Sequence, residues 1–171
     1  MIASLRPCPP RYQDCGTYMQ ATPVPALALT PASKETLDKI QIVHEALLQV
    51  ADVEVTTEHV LHGGMYIRTL RREAGIVSVG SLIKRPTILI VNGSASVWSG
   101  DGWTQLEGYN VIPGSAGRKQ IFVTRGPVEM TMIFPTQART VEEAETEVFA
   151  EAELLMSHSD GSRDTITITG E

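Results

Sequence analysis

The chain has 171 residues but only two cysteines, no apolar run long enough to cross a bilayer, and no basic run interleaved with aromatics. Each shortage excludes something. Cys8 and Cys15 both lie near the N-terminus, so a cysteine zinc site lacks two of its four ligands. We read the two as reduced, exposed thiols in a cytosolic setting. A membrane-spanning helix needs about 18 to 20 apolar residues in succession, which this sequence nowhere provides. The opening MIASLRPCPPRYQDCG holds no apolar core of the signal-peptide kind, so synthesis in the cytoplasm is expected. A formal charge of −6, without clustered Arg and Lys, argues against a general nucleic-acid binder. No membrane partner is expected either.

What is present is organised by charge and by period. Residues 64–130 hold eight Lys/Arg and four Asp/Glu, a local charge of +4, so the remainder carries −10. Six of those negatives lie between Glu142 and Glu153. Residues 1–31 contain six of the ten prolines and read as an extended arm that contributes little to folding. PASKETLDKIQIVHEALLQV follows with helical spacing. Leu37, Ile40, Val43, Leu47 and Val50 mark its buried stripe, and Ser33 or Thr30-Pro31 its start. His44, beside that stripe, reads as a solvated or hydrogen-bonded helix histidine.

From Met65 to Phe134 the period shortens to that of strands separated by turn signals. Asn92-Gly93 and SGDGW at 99–103 are the strongest hairpin signals. TVEEAETEVFAEAELLM is a second helix, capped by Thr140 and Glu143, with Val141, Ala144, Val148, Ala152 and Leu155 facing inward and its glutamates solvated. Residues 157–171 read as a flexible polar tail, in which TITIT could add a strand to a partner's edge. The folded domain is therefore expected over residues 32–156.

The run HGGMYIRTLRREAGIVSVGSLIKRPTILIVNGSASVWSGDGWTQLEGYNVIPGSAGRKQ resembles the cupin superfamily. It is most similar to small cupin-like proteins of tailed phages and prophages, with a leading helix, a TEH…G-Y-R entry, a barrel and an acidic closing helix in that order. The resemblance spans about residues 35–156. It implies a mostly β fold: a cupin-like jelly-roll barrel with one helix before and one helix after it, usually dimeric or higher.

In metal-binding cupins the strand after the glycine-containing segment supplies two histidines four residues apart. Matching Gly80 and TILIVNG puts those positions at Ile83 and Thr87, neither a usual metal ligand. The second cupin motif falls at IPGSAGRKQ, where Arg118 and Lys119 stand and would repel a divalent cation. No metal and no cofactor are therefore expected. The fallback donors, His59 and His62 in EHVLH, would face opposite ways on a strand, and His158 sits in the tail. No Ser-His-Asp spacing appears, and GSAG at 114–117 reads as a β-turn.

The chemistry that remains is recognition of an anion by Lys84, Arg85, Thr87, Arg118 and Arg125. A solvated basic surface, or an interface with the acidic closing helix, competes with that reading. Ile83 and Thr87 would give the barrel mouth a dry, uncharged base. Three functions follow: a non-catalytic structural or assembly component working with other phage structural proteins, a binding module for an anionic small molecule, or a residual metal-dependent isomerase or dioxygenase. A homo-oligomer held partly by charge is expected, the basic barrel of one copy meeting the acidic helix of another.

Overall fold

Alternating apolar and polar residues dictate most of the architecture. The structure is a computed structural model, and it describes residues 27–50, 55–152, 155 and 163–169. Cys8, Cys15, His158 and all arm prolines except Pro31 lie outside the described residues. The elements in chain order are α1 (Lys34–Leu47), β1 (Thr56–His62), β2 (Met65–Arg72), β3 (Val77–Val79), β4 (Thr87–Trp98), β5 (Trp103–Gly114), β6 (Ile121–Pro135), α2 (Val141–Val148) and β7 (Arg163–Ile168). The mostly β architecture, with a helix before and another after, is the expected one.

The strands lie in the order β5-β4-β6-β2-β1-β7, and β3 pairs separately with β6. All neighbours are antiparallel except β1 and β7. β1 and β2 are joined by Gly63-Gly64, at φ 54° and 69°, a two-residue turn whose twist suits a hairpin. The pivot of the sheet is β6. It pairs with β4 along one edge; along the other, residues 121–123 pair with β3 and residues 128–135 with β2. That change of partner rolls the sheet into a barrel-like shell around a core that includes Val91, Ile112, Met130, Phe134 and Tyr66.

Five expectations need correction. Asn92-Gly93 is not a turn: β4 runs straight through it, and the hairpin forms at 99–102, with Trp98 opposite Trp103. A long ladder on both sides of β4 outweighs the local turn preference. The stripe on α1 is narrower than its spacing implied. Only Ile40 is fully buried, while Leu37, Val43 and Leu47 are half-buried and Val50 exposed, because the helix rests on the three-residue β3. The start of α1 is as read, with the Ser33 hydroxyl accepting from the Thr36 amide at 3.1 Å.

The closing helix stops at Val148, and Phe149 turns extended to bridge Ile83. Its cap forms, Thr140 accepting from the Glu143 amide at 3.2 Å, and Ala152 and Leu155 pack only partly against the core. Finally, the segment expected to be a flexible tail contains β7, which pairs in parallel with this chain's own β1.

The end of the arm belongs to the core as well. Leu29 is buried, its amide donating to the Pro113 carbonyl and its carbonyl accepting from the Ser115 amide. Leu29→Ala is expected to cost about 2–5 kcal/mol in chemical denaturation, the usual penalty of a core truncation. A chain cut at residue 31 should lose at least as much, contrary to the expectation that residues 1–31 are dispensable for folding.

Candidate functional site

Inside the shell lies a cavity of about 160 Å³. Strand period sets one wall: Tyr66, Arg68, Leu70 and Arg72 alternate inward along β2, and the last three line the cavity. Arg118, Lys119 and Gln120, in the segment before β6, supply another wall. Met130, Met132 and Phe122 of β6 form an apolar floor, and Phe149 and His44 complete the rim.

The cations are not equivalent. Arg68 forms an ion pair with the buried Glu145 at 3.3 Å, and its guanidinium lies 5.3 Å from the centre of the Phe149 ring. Lys119 reaches Glu151 at 3.4 Å. Arg118 is only 2% exposed, yet its bonds go to neutral oxygens, the Ser115 carbonyl and the Thr87 hydroxyl. Gly114 makes room for it, since a Cβ there would come within 2.6 Å of the guanidinium carbon. Burial presses Arg118 down to about 10, still protonated at neutral pH. Arg72 falls equally far, through burial first and the neighbouring Arg68 charge second.

Unmade hydrogen bonds gather at the same place. His44 Nδ1, Ser81 Oγ, Arg118 Nε and Gln120 Nε2 are buried without a hydrogen-bond partner, and all four residues line this cavity. Buried polar atoms normally find partners in protein or ordered water, and these four residues stand around one void.

Arg68, Arg72, Arg118 and Lys119 on the cavity wall are poor company for a divalent metal, and among the described residues no three His, Cys, Asp or Glu side chains are grouped to hold one. Ile83 lines the cavity, whereas Thr87 lies behind it, holding Arg118. The base expected to be uncharged is therefore edged by a guanidinium. His59 and His62 point to opposite faces. His59 is buried with its Nδ1 2.7 Å from the Tyr66 hydroxyl, while His62 is exposed, 2.6 Å from the Thr169 hydroxyl.

The five candidate anion ligands are not brought together. Arg118 alone lines the cavity, with Thr87 as its support. Lys84 donates to the Thr146 carbonyl and Arg85 to Glu147, so both meet the closing helix of their own chain. Arg125 is exposed, with Nε donating to Ser96 at 2.7 Å. Arg68 and Arg72 went unread, although their spacing of four in MYIRTLRRE places them on one face of a strand.

A second buried polar group joins α2 to the sheet. Tyr66 donates to Glu145 at 3.4 Å, and its hydroxyl is also hydrogen-bonded to His59 Nδ1 at 2.7 Å. His59 Nε2 lies 4.0 Å from Asp164 on β7. Burial, then the charge of Glu145, pushes the Tyr66 phenol well above its ordinary value, so it remains a donor. The glutamates of α2 were expected to be solvated, but Glu145 is fully buried.

No family model matches the chain, and no curated protein matches its sequence. Among solved structures, a cupin-2 domain protein from Shewanella frigidimarina shares 10% identity at a TM-score of 0.40, covering 58% of this chain and 98% of that one. A cupin superfamily protein from Desulfitobacterium hafniense shares 17% at 0.42, covering 54% and 86%. A protein from Neisseria meningitidis shares 11% at 0.43, covering 54% and 95%.

Proposed function

We propose that this cupin-like chain is a non-catalytic binding module for a small organic anion held in the shell cavity. One observation carries the reading: buried Arg118, paired with no described carboxylate, stands beside three other orphaned polar groups around a largely apolar void. A cavity of about 150 Å³ accommodates one benzene ring, so the guest is a compact carboxylate. Its apolar body would lie on Met130, Met132 and Phe122 while its charge meets a guanidinium able to bind two oxygens at once.

Benzoate and inorganic phosphate are the discriminating probes. Benzoate is expected to raise the unfolding midpoint of the full chain, by the equivalent of about 2.7 kcal/mol at a hundredfold excess over Kd. Phosphate, which has no apolar body, should raise it little. Arg118→Met should weaken benzoate binding by tenfold or more, a loss of about 1.4 kcal/mol, yet leave the free protein as stable as before or more so, because it removes a buried uncompensated charge. A variant that loses stability while keeping its affinity would make Arg118 a structural residue. If no small carboxylate shifts the midpoint, the cavity is not a binding site.

A second reading, a building block of a larger assembly, is supported by β7. It ends the strand order, leaving its outer edge unpaired among the described residues, and it exposes Ile166 and Ile168. A phage origin for that assembly rests on the sequence resemblance. Finding this chain in purified particles at fixed stoichiometry would favour it.

A further inference from the structure

The two helices are fastened to the shell very differently. α2 sets the buried Glu145 carboxylate against Arg68. α1 has no such anchor among the described residues. Of its 14 residues only Ile40 is fully buried, and its seat is the short β3. Its charged side chains pair along its own surface, Lys34 with Asp38 and Lys39 with Glu35. A helix of this length is marginal in water without tertiary support. α1 therefore belongs to the low-stability end of the fold, where segments open locally.

Yet this loosely held helix carries part of the cavity wall. Leu37, Ile40, His44 and Leu47 recur at intervals of three and four and share one helical face. The packing that seats Ile40 thus turns His44 toward the shell. Of the α1 side chains His44 alone lines the cavity, beside Val79, Ser81 and Phe122. Its Nδ1 is enclosed, with no hydrogen bond among the described residues.

From this placement we infer that His44 is a guest-binding residue and α1 the cover of the cavity, docked more firmly when the cavity is occupied. This role rests on the reading of the cavity as a carboxylate site and names the part of the fold that responds to the guest. A guest that fills a void of about one benzene ring meets every wall, the one made by His44 included. The chemistry matches. A carboxylate offers about four lone-pair sites, of which the fork of Arg118 takes two. An imidazole presents an N–H in either protonation state, so His44 can donate to a site left over. Arg118 is fixed to the shell through Ser115 and Thr87, and a guest bridging it to His44 ties α1 to the barrel. Binding and docking are then reciprocal: the guest steadies the helix by the same factor by which the docked helix tightens the guest.

Amide hydrogen exchange of the full chain, with and without saturating benzoate, tests this. Amides that exchange through local opening are slowed only if the guest holds the helix itself. Benzoate should slow exchange across residues 38–47 by about tenfold or more, the worth of one hydrogen bond to a charged group. His44→Leu should weaken benzoate binding by a similar factor and abolish the slowing. It should not quicken exchange of α1 in the absence of benzoate, because leucine is the better helix former. Should that variant misfold, the His44 imidazole resonances of the unmodified protein are read instead, and are expected to shift as benzoate is added. Benzoate that raises the unfolding midpoint but alters neither α1 exchange nor those resonances overturns the inference and leaves the binding module standing. Benzoate without effect on the midpoint overturns both. A His44→Leu protein that binds benzoate as tightly as the parent, with α1 still protected, also overturns it, since the coupling then runs through another residue.

Discussion

Glu145→Ala is expected to destabilise the fold by about 3–5 kcal/mol, the cost of removing one partner from a buried ion pair. Its carboxylate is fully enclosed and is approached by Arg68 at 3.3 Å, the Tyr66 hydroxyl at 3.4 Å and His59 Nδ1 at 3.9 Å. Without it, the Arg68 guanidinium keeps its charge inside the shell with a compensating carboxylate gone. Adding Arg68→Met to Glu145→Ala should recover part of the loss, because an apolar pair of similar volume no longer has a charge to desolvate. Urea denaturation of the two single variants and the double variant measures the coupling. A Glu145→Ala protein within about 1 kcal/mol of the parent would show that the interior solvates Arg68 by other means, and that α2 is not anchored through this carboxylate.

The same contact links closure to the cavity. Arg68 holds Glu145 and stacks on Phe149, and both Arg68 and Phe149 belong to the cavity wall. The engagement of Arg68 with α2 separates its role from that of Arg118, which is held by neutral groups. One cation fastens the helix. The other is the better placed to meet a guest.

How far the sequence could be read depends on the range of the interaction concerned. Strand alternation is local, so β2, β5 and the two halves of β6 were legible, as were the hairpin at 99–102 and the caps at Ser33 and Thr140, whereas β4 was read as broken at Asn92-Gly93. The interruption at Phe149 was not. It arises from a bridge to Ile83, 66 residues away in sequence, that no helical periodicity encodes. β7 was missed for the same reason: its partner β1 lies about a hundred residues earlier, and an isolated polar TITIT looks like a tail. At the site, Arg68 and Arg72 were visible as a pair spaced for one strand face, but charge usually marks the solvated face. Only the closing of the shell by α2 turns that face inward. Glu145 was hidden among five acidic neighbours for the complementary reason.

The misread Asn92-Gly93 pair leads to the second large effect. Gly93 lies in mid-strand at φ 131°, and a Cβ there would sit 2.3 Å from the Pro127 carbonyl oxygen and 2.8 Å from the Val128 Cα. Both are backbone atoms and cannot rotate away. The register between β4 and β6 breaks at this point: Gly93 faces Val128, yet Ala95 faces Thr124, so residues 125–127 bulge opposite Ser94. Pro127, with no amide to donate, suits a position outside the ladder. Here β6 also exchanges β3 for β2 as its other neighbour. Gly93 thus permits the close approach at which the sheet rolls. Gly93→Ala is expected to cost about 3 kcal/mol or more, combining a strained backbone with a forced displacement of β6. Gly108→Ala is the matched control, since its φ is 67° but no atom lies within 4 Å of the added methyl, so only the backbone penalty of about 1–2 kcal/mol remains. The excess of the first loss over the second, read from denaturant midpoints, isolates the close approach. Equal losses would mean that β6 can slide past β4, and that the bulge, rather than Gly93, absorbs the roll of the shell.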